Sequence, residues 1–145
     1  LEIGGFLRQT PCKVFAAPFD VRLPLPPNQM KEDKIDTVVQ PDICVICDLD
    51  KLDERGCKGS PDWIIEILSK GTAPKDLKDK FELYQHAGVK EYWIVHPSEQ
   101  TVIPYRLNEM GQYEAFRPNP FAADETIASF VFPDLSVALS EVFDD

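Results

Sequence analysis

Two short apolar runs with a helix between them constrain this chain more than any other feature. "DWIIEILS" (62–69) and "VKEYWIVHP" (89–97) are the length of strands, and their near-continuous apolar character suits strands buried on both faces. Between them lies "APKDLKDKFELYQHAG" (73–88), which repeats at helical period. Thr72 is the predicted N-cap, Pro74 a good first-turn residue and Gly88 the C-terminal cap. A strand, a helix and a second strand in this order predict a right-handed crossover between parallel neighbours. The chain therefore has to build a sheet with at least one face covered by a helix.

The rest of the pattern extends that unit. "LEIGGFLRQ" reads as the tail of a helix, so an N-terminal segment is expected to precede residue 1. Residues 13–26 and 37–47 read as strands, 26–36 as a polar loop and 48–61 as a charged loop. Residues 100–116 predict a hairpin turning at Asn108–Gly111, 126–135 a further extended piece, and the last residues a short helix. The expected fold class is mixed α+β, an α/β arrangement with a central mixed sheet flanked by helices. At 145 residues one domain over 1–145 is expected.

Composition excludes several classes. No apolar run approaches the length of a membrane span, and no secretory signal is visible. The net charge of −10 disfavours general affinity for nucleic acid, although a bound metal can supply local positive charge. Cys44 and Cys47 form a C-x-x-C, but on a strand residues three apart face opposite sides. A shared zinc or redox pair is disfavoured, and all four cysteines are expected to be free thiols in a reducing cytoplasm.

Three charged residues sit where burial should discourage them. Asp42 lies within the apolar run 37–47, and Glu66 is at the centre of "WIIEIL". On the helix, at about 100° per residue, Leu77, Phe81, Leu83, Tyr84 and Ala87 form one apolar arc, and Lys80 falls inside it. Unpaired charges in such places cost several kcal/mol. Two strands and the helix after them could bring the three together. Two carboxylates beside a lysine is the pattern of a site for a hard cation such as Mg²⁺ or Mn²⁺, with the lysine facing developing negative charge. Each residue also has a plain structural reading. Lys80 could lay its stem on apolar neighbours and reach water, or pair with Asp76 one turn earlier. Glu66 could face solvent at an edge, and Asp42 could cap a turn.

Pro41-Asp42, followed by Glu66-Ile67-Leu68, resembles the PD-(D/E)XK nuclease motif, with Leu68 where its lysine usually stands. "PDWIIEILS" with "KDKFELYQHAGVKEYWIVHP" is similar to the Uma-two family of restriction-endonuclease-like proteins, over roughly residues 13–143. That family places the lysine on the helix after the acid strand, where Lys80 stands, with a tyrosine one turn later, here Tyr84. The resemblance implies a restriction-endonuclease-like fold and Mg²⁺-dependent hydrolysis of DNA phosphodiesters. Asp42 and Glu66 would be metal ligands, and Asp42, Glu66 and Lys80 the catalytic set. It also implies a homodimer, because two strands need two sites, with the 100–116 hairpin as an interface element. Related nucleases use a further acid on the first helix, where only Glu2 is available.

Other residues read as structural. Asp20 and Asp36 lie near these elements, with Asp20 a candidate to support the site residues from behind, and Asp62 reads as a turn residue. His86 falls on the polar helix face and His96 ends a strand. Ser69 lacks the G-x-S-x-G context of a nucleophile, and the aromatics of "EYWIVH" suit core packing. The alternative to an enzyme is a nuclease fold without activity, serving as a dimeric interaction or regulatory module, which the charge of −10 favours.

Overall fold

The structure, a computed structural model, describes residues 2–143, with the side chain of Glu2 excepted. The elements in order are α1 (Glu2–Leu7), β1 (Lys13–Ala16), β2 (Val21–Pro24), β3 (Asp36–Val39), β4 (Ile43–Ile46), β5 (Leu52–Asp53), β6 (Gly56–Lys58), β7 (Trp63–Ile67), α2 (Pro74–Ala87), β8 (Glu91–His96), β9 (Thr101–Leu107), β10 (Tyr113–Ala115), β11 (Phe121–Ala122), β12 (Thr126–Ala128), β13 (Ser136–Ala138) and α3 (Leu139–Phe143). The fold is mixed α+β.

Its centre is a mixed sheet in the order β1-β4-β7-β8-β9-β10, with β11 also paired to β9. The one parallel pair in it is β7 with β8, joined through α2 as the two apolar runs predict. The other pairs are antiparallel. Alternation along the central strands divides the core in two. Trp63, Ile65, Trp93 and Val95 face α1, α3 and the β12–β13 hairpin. Ile64, Tyr92 and Ile94 face α2 and a smaller sheet, ordered β3-β2-β6-β5. Burying each such large apolar side chain stabilises the fold by about 1.5–3 kcal/mol.

Several expectations are revised. Residues 13–26 and 37–47 each hold two strands, and the members of each pair lie in different sheets. Pro18 and Pro41 explain the breaks, since proline offers no N–H to a ladder. The charged stretch 48–61 contains the β5–β6 hairpin, in which Cys57 is fully buried. There Gly56 has φ 125°, and a Cβ at that position would stand 2.2 Å from the Asp20 carbonyl oxygen. Ala73, not Thr72, is the N-cap of α2 and offers no side-chain cap, while Gly88 closes the helix with φ 81°. The Thr72 hydroxyl instead accepts the Ser69 N–H at 3.1 Å.

The free-thiol expectation fails for two cysteines. Cys12 and Cys47 form a disulfide, with Cα atoms 3.9 Å apart. The register explains the pairing: Lys13 lies opposite Ile46, so the next step outward sets Cys12 opposite Cys47. Cys44 and Cys57 are free and buried. Cys44 packs on the α2 side and Cys47 on the opposite side, consistent with the C-x-x-C not acting as one unit. Burial pushes the Cys44 thiol up to about 12, which leaves it inert. Among the described residues no helix is long and apolar enough to cross a membrane.

Candidate active site

Asp42 and Glu66 meet where the ladder between β4 and β7 ends. The last paired residues are Ile43 and Ile65, so Asp42 and Glu66 lie opposite each other one step further. Both point to the α2 side by alternation. Their side chains then continue the hydrogen bonding that the backbone drops. Glu66 Oε1 accepts the Asp42 N–H at 3.1 Å, and Asp42 Oδ2 accepts the Ile67 N–H at 2.7 Å. Charged acceptors on backbone N–H groups are the stronger kind of hydrogen bond. Each carboxylate is thereby fixed by the other's strand.

The helix supplies the rest. Glu66 is buried, 3% exposed, and its Oε2 receives the Tyr84 hydroxyl at 2.7 Å and Lys80 Nζ at 3.0 Å. Tyr84 and Lys80 are one turn apart and so share a helix face. Lys80 points into the apolar arc because a buried carboxylate stands there. Its side chain remains 43% exposed, so it both pairs with Glu66 and reaches solvent. Its partner is Glu66 rather than Asp76. Burial, then the charge of Glu66 and the bond to it, hold the Tyr84 phenol well above its usual pKa, which keeps it a donor.

Asp42, Glu66 and Lys80 open onto one cavity of about 380 Å³, together with Asp76, Asp79 and Tyr92. Tyr92 is fully buried, and its hydroxyl has no hydrogen-bond partner among the described residues. A buried hydroxyl left so costs about 1–3 kcal/mol. The sequence reading took Tyr92 for core packing. Asp76 is one turn before Lys80 and shares its helix face, whereas Asp79 is its neighbour in sequence and pairs with Lys75 at 2.7 Å.

The remaining candidates lie elsewhere. Asp20 Oδ1 accepts the Gln40 side-chain amide at 2.8 Å, and Asp62 Oδ2 accepts the Cys47 N–H at 2.8 Å. His86 is exposed, and His96 ends β8. The Ser69 hydroxyl stands 3.3 Å from that of Thr72, with no base beside it. The Glu2 side chain lies outside the described residues.

Oxygen donors of two carboxylates suit a hard divalent cation. Among the described residues no group of three or more His, Cys, Asp or Glu side chains is placed to hold a metal. The protein could then offer two carboxylates, leaving the other positions to water and to substrate oxygens, as Mg²⁺ sites commonly do.

The chain matches the model of a family described as Uma2, putative restriction endonuclease, over residues 2–140. It belongs to that family. A similar solved structure is that of a putative nuclease of DUF820 from Anabaena variabilis. The TM-score is 0.67 over 98% of this chain and 74% of that one, at 22% identity, a likeness of fold. No curated protein matches this Uma2 chain.

Proposed function

We propose that this Uma2 chain is a Mg²⁺-dependent endonuclease that hydrolyses DNA phosphodiester bonds at the Asp42–Glu66–Lys80 cavity. The observation that carries the reading is the meeting of two strand-end carboxylates with an ammonium in one cavity. Asp42 and Glu66 would hold the cation, Mg²⁺ or Mn²⁺. When bound, it supplies positive charge against the charge that builds on the phosphate during hydrolysis. Asp42 keeps Oδ2 on the Ile67 N–H and has Oδ1 to offer. Glu66 Oε1 carries one long hydrogen bond and has a lone pair left. Tyr84 orients Glu66 from behind. Lys80, half in solvent, donates either to a phosphate oxygen or to the attacking water, depending on how the substrate lies. A homodimer would set two such cavities against the two strands of a duplex.

A second reading has two observations in its favour, the net charge of −10 and the absence of a third metal-ligating group among the described residues. On that reading the fold is an inactive module that acts through dimerisation.

Calorimetric titration with Mg²⁺ and Mn²⁺, on wild type and Glu66→Gln, separates the two when combined with plasmid cleavage. Binding and cleavage that both vanish in Glu66→Gln support the enzyme. Cleavage that survives in Asp42→Asn and in Glu66→Gln places the chemistry elsewhere. Absence of cleavage in wild type with either metal leaves the interaction module.

A further inference from the structure

We infer that the Tyr92 hydroxyl is a phosphate-binding donor in this cavity, reserved for a non-bridging oxygen of the substrate phosphodiester. The inference deepens the nuclease reading and rests on it for the identity of the substrate. Tyr92 stands at the centre of an aromatic cluster, with ring centroids 5.1 Å from Tyr84, 5.7 Å from Tyr113 and 6.3 Å from Tyr105. Packing of that kind needs only the ring, and phenylalanine would provide it without stranding a hydroxyl. Its neighbours show the ordinary outcome. Tyr84 gives its hydroxyl to Glu66 at 2.7 Å, and Tyr113 gives its own to the Val89 carbonyl at 2.8 Å. Tyr92 alone in this trio is unpartnered, and it alone lines the cavity of Asp42, Glu66 and Lys80.

Glu66 does not serve as the acceptor: Tyr84, Lys80 and the Asp42 N–H reach it, and the Tyr92 hydroxyl does not. The Tyr92 hydroxyl is thus left for whatever enters. Burial, and after it the charge of Glu66, hold the phenol above its usual pKa, so it enters no reaction as a base and offers a proton to share. Tyr92 and Lys80 line the same cavity, one bringing a neutral donor and the other a charged one. An anionic tetrahedral group with several acceptor oxygens fits that pair. A carbonyl or a hydroxyl would leave the ammonium without a counter-charge once Glu66 engages a cation.

Tyr92→Phe tests the assignment, since it deletes one oxygen and keeps the ring. The probe for binding is inorganic phosphate, titrated by calorimetry in the presence of Mg²⁺ on wild type, Tyr92→Phe and Tyr113→Phe. The expected result is a loss of phosphate affinity of about tenfold or more in Tyr92→Phe, as for a hydrogen bond to a charged group. Tyr113→Phe, which loses a hydroxyl outside the cavity, should bind as wild type does. Equal affinity in Tyr92→Phe and wild type, or no phosphate binding by either, overturns the assignment. An equal loss in Tyr113→Phe overturns it too, since the effect would then be one of packing. Plasmid cleavage is read separately: it decides the nuclease reading, whereas phosphate affinity decides Tyr92. In an active enzyme Tyr92→Phe should lower kcat about 10–100-fold more than it changes KM.

Discussion

Glu66 and Glu91 stand on neighbouring strands of one sheet and face opposite sides of it. Both are buried, at 3% and 0% exposure. Glu66 meets a cation, a phenol and a cavity. Glu91 meets neutral donors only. Its Oε2 accepts the Trp93 indole N–H at 2.7 Å, and its Oε1 accepts the Ser129 hydroxyl and the N–H groups of Phe130 and Val131. Four donors seal it against the segment that follows β12. A buried carboxylate is therefore no mark of chemistry by itself. What separates the two is the partner that can move and the space beside it. Lys80 is half in water and can leave Glu66, while nothing around Glu91 can leave without unpacking the core.

The comparison is broken most directly by deletion. Glu91→Ala strands an indole, a hydroxyl and two backbone N–H groups, and should lower stability by about 3–5 kcal/mol. Glu66→Ala opens onto a cavity where water can reach Tyr84 and Lys80, and should cost about 1–3 kcal/mol. Urea unfolding of both variants gives the order, and a larger loss at Glu66 would reverse the reading of which site is structural. In cleavage the order should invert. Glu66→Gln should lose about 10²–10³-fold, while Glu91→Gln, assayed where it is folded, should stay within about threefold. Comparable losses from the two would remove the distinction.

Smaller effects sharpen it. Lys80→Met keeps the stem that lies on the helix face and deletes the charge. Because the side chain is 43% exposed, stability should change by about 1 kcal/mol or less, with cleavage lost. A loss of several kcal/mol would make Lys80–Glu66 a structural pair. The smallest effect is in pH. Burial pushes the Glu91 carboxyl above its usual value, although its four hydrogen bonds pull the other way. The folded chain then holds that proton more tightly than the unfolded chain does. The stability this group adds is present below the ordinary carboxylate range and is lost as pH rises through the folded value. Urea midpoints measured in steps of pH should show that downward component in wild type and not in Glu91→Gln. Parallel profiles would contradict it.

The two carboxylates also differ in how far the sequence discloses them. Glu66 interrupts an apolar run, so its oddity is local, and the crossover that positions it follows from the same run. Glu91 begins its run, where a charge is ordinary, and three of its four partners come from 38–40 residues later. No local pattern announces such a meeting. The same limit applies to strands. The β7–α2–β8 unit is legible because its helical period and its Gly88 cap agree, whereas 37–47 reads as one strand because both of its ends are rich in β-branched residues. Pro41 is the one sign that the chain there passes from one sheet to another. The Cys12–Cys47 bond depends on register between β1 and β4, which sequence alone does not set. Lys80 is legible as a misfit on a helical wheel, while Tyr92 is hidden among aromatics because an orphaned hydroxyl is visible only when its surroundings are.

Asp42 is also a joint. The chain leaves the small sheet at Val39 and enters the large one at Ile43, so one of the three residues between them is this carboxylate. Its carbonyl takes the Ala17 N–H at 3.0 Å, and Ala17 lies on the other passage between the sheets, from β1 to β2. Whatever grips Asp42 therefore also holds the two passages between the sheets. Backbone amides of β2 and β3 should accordingly exchange with solvent more slowly when the cavity is filled.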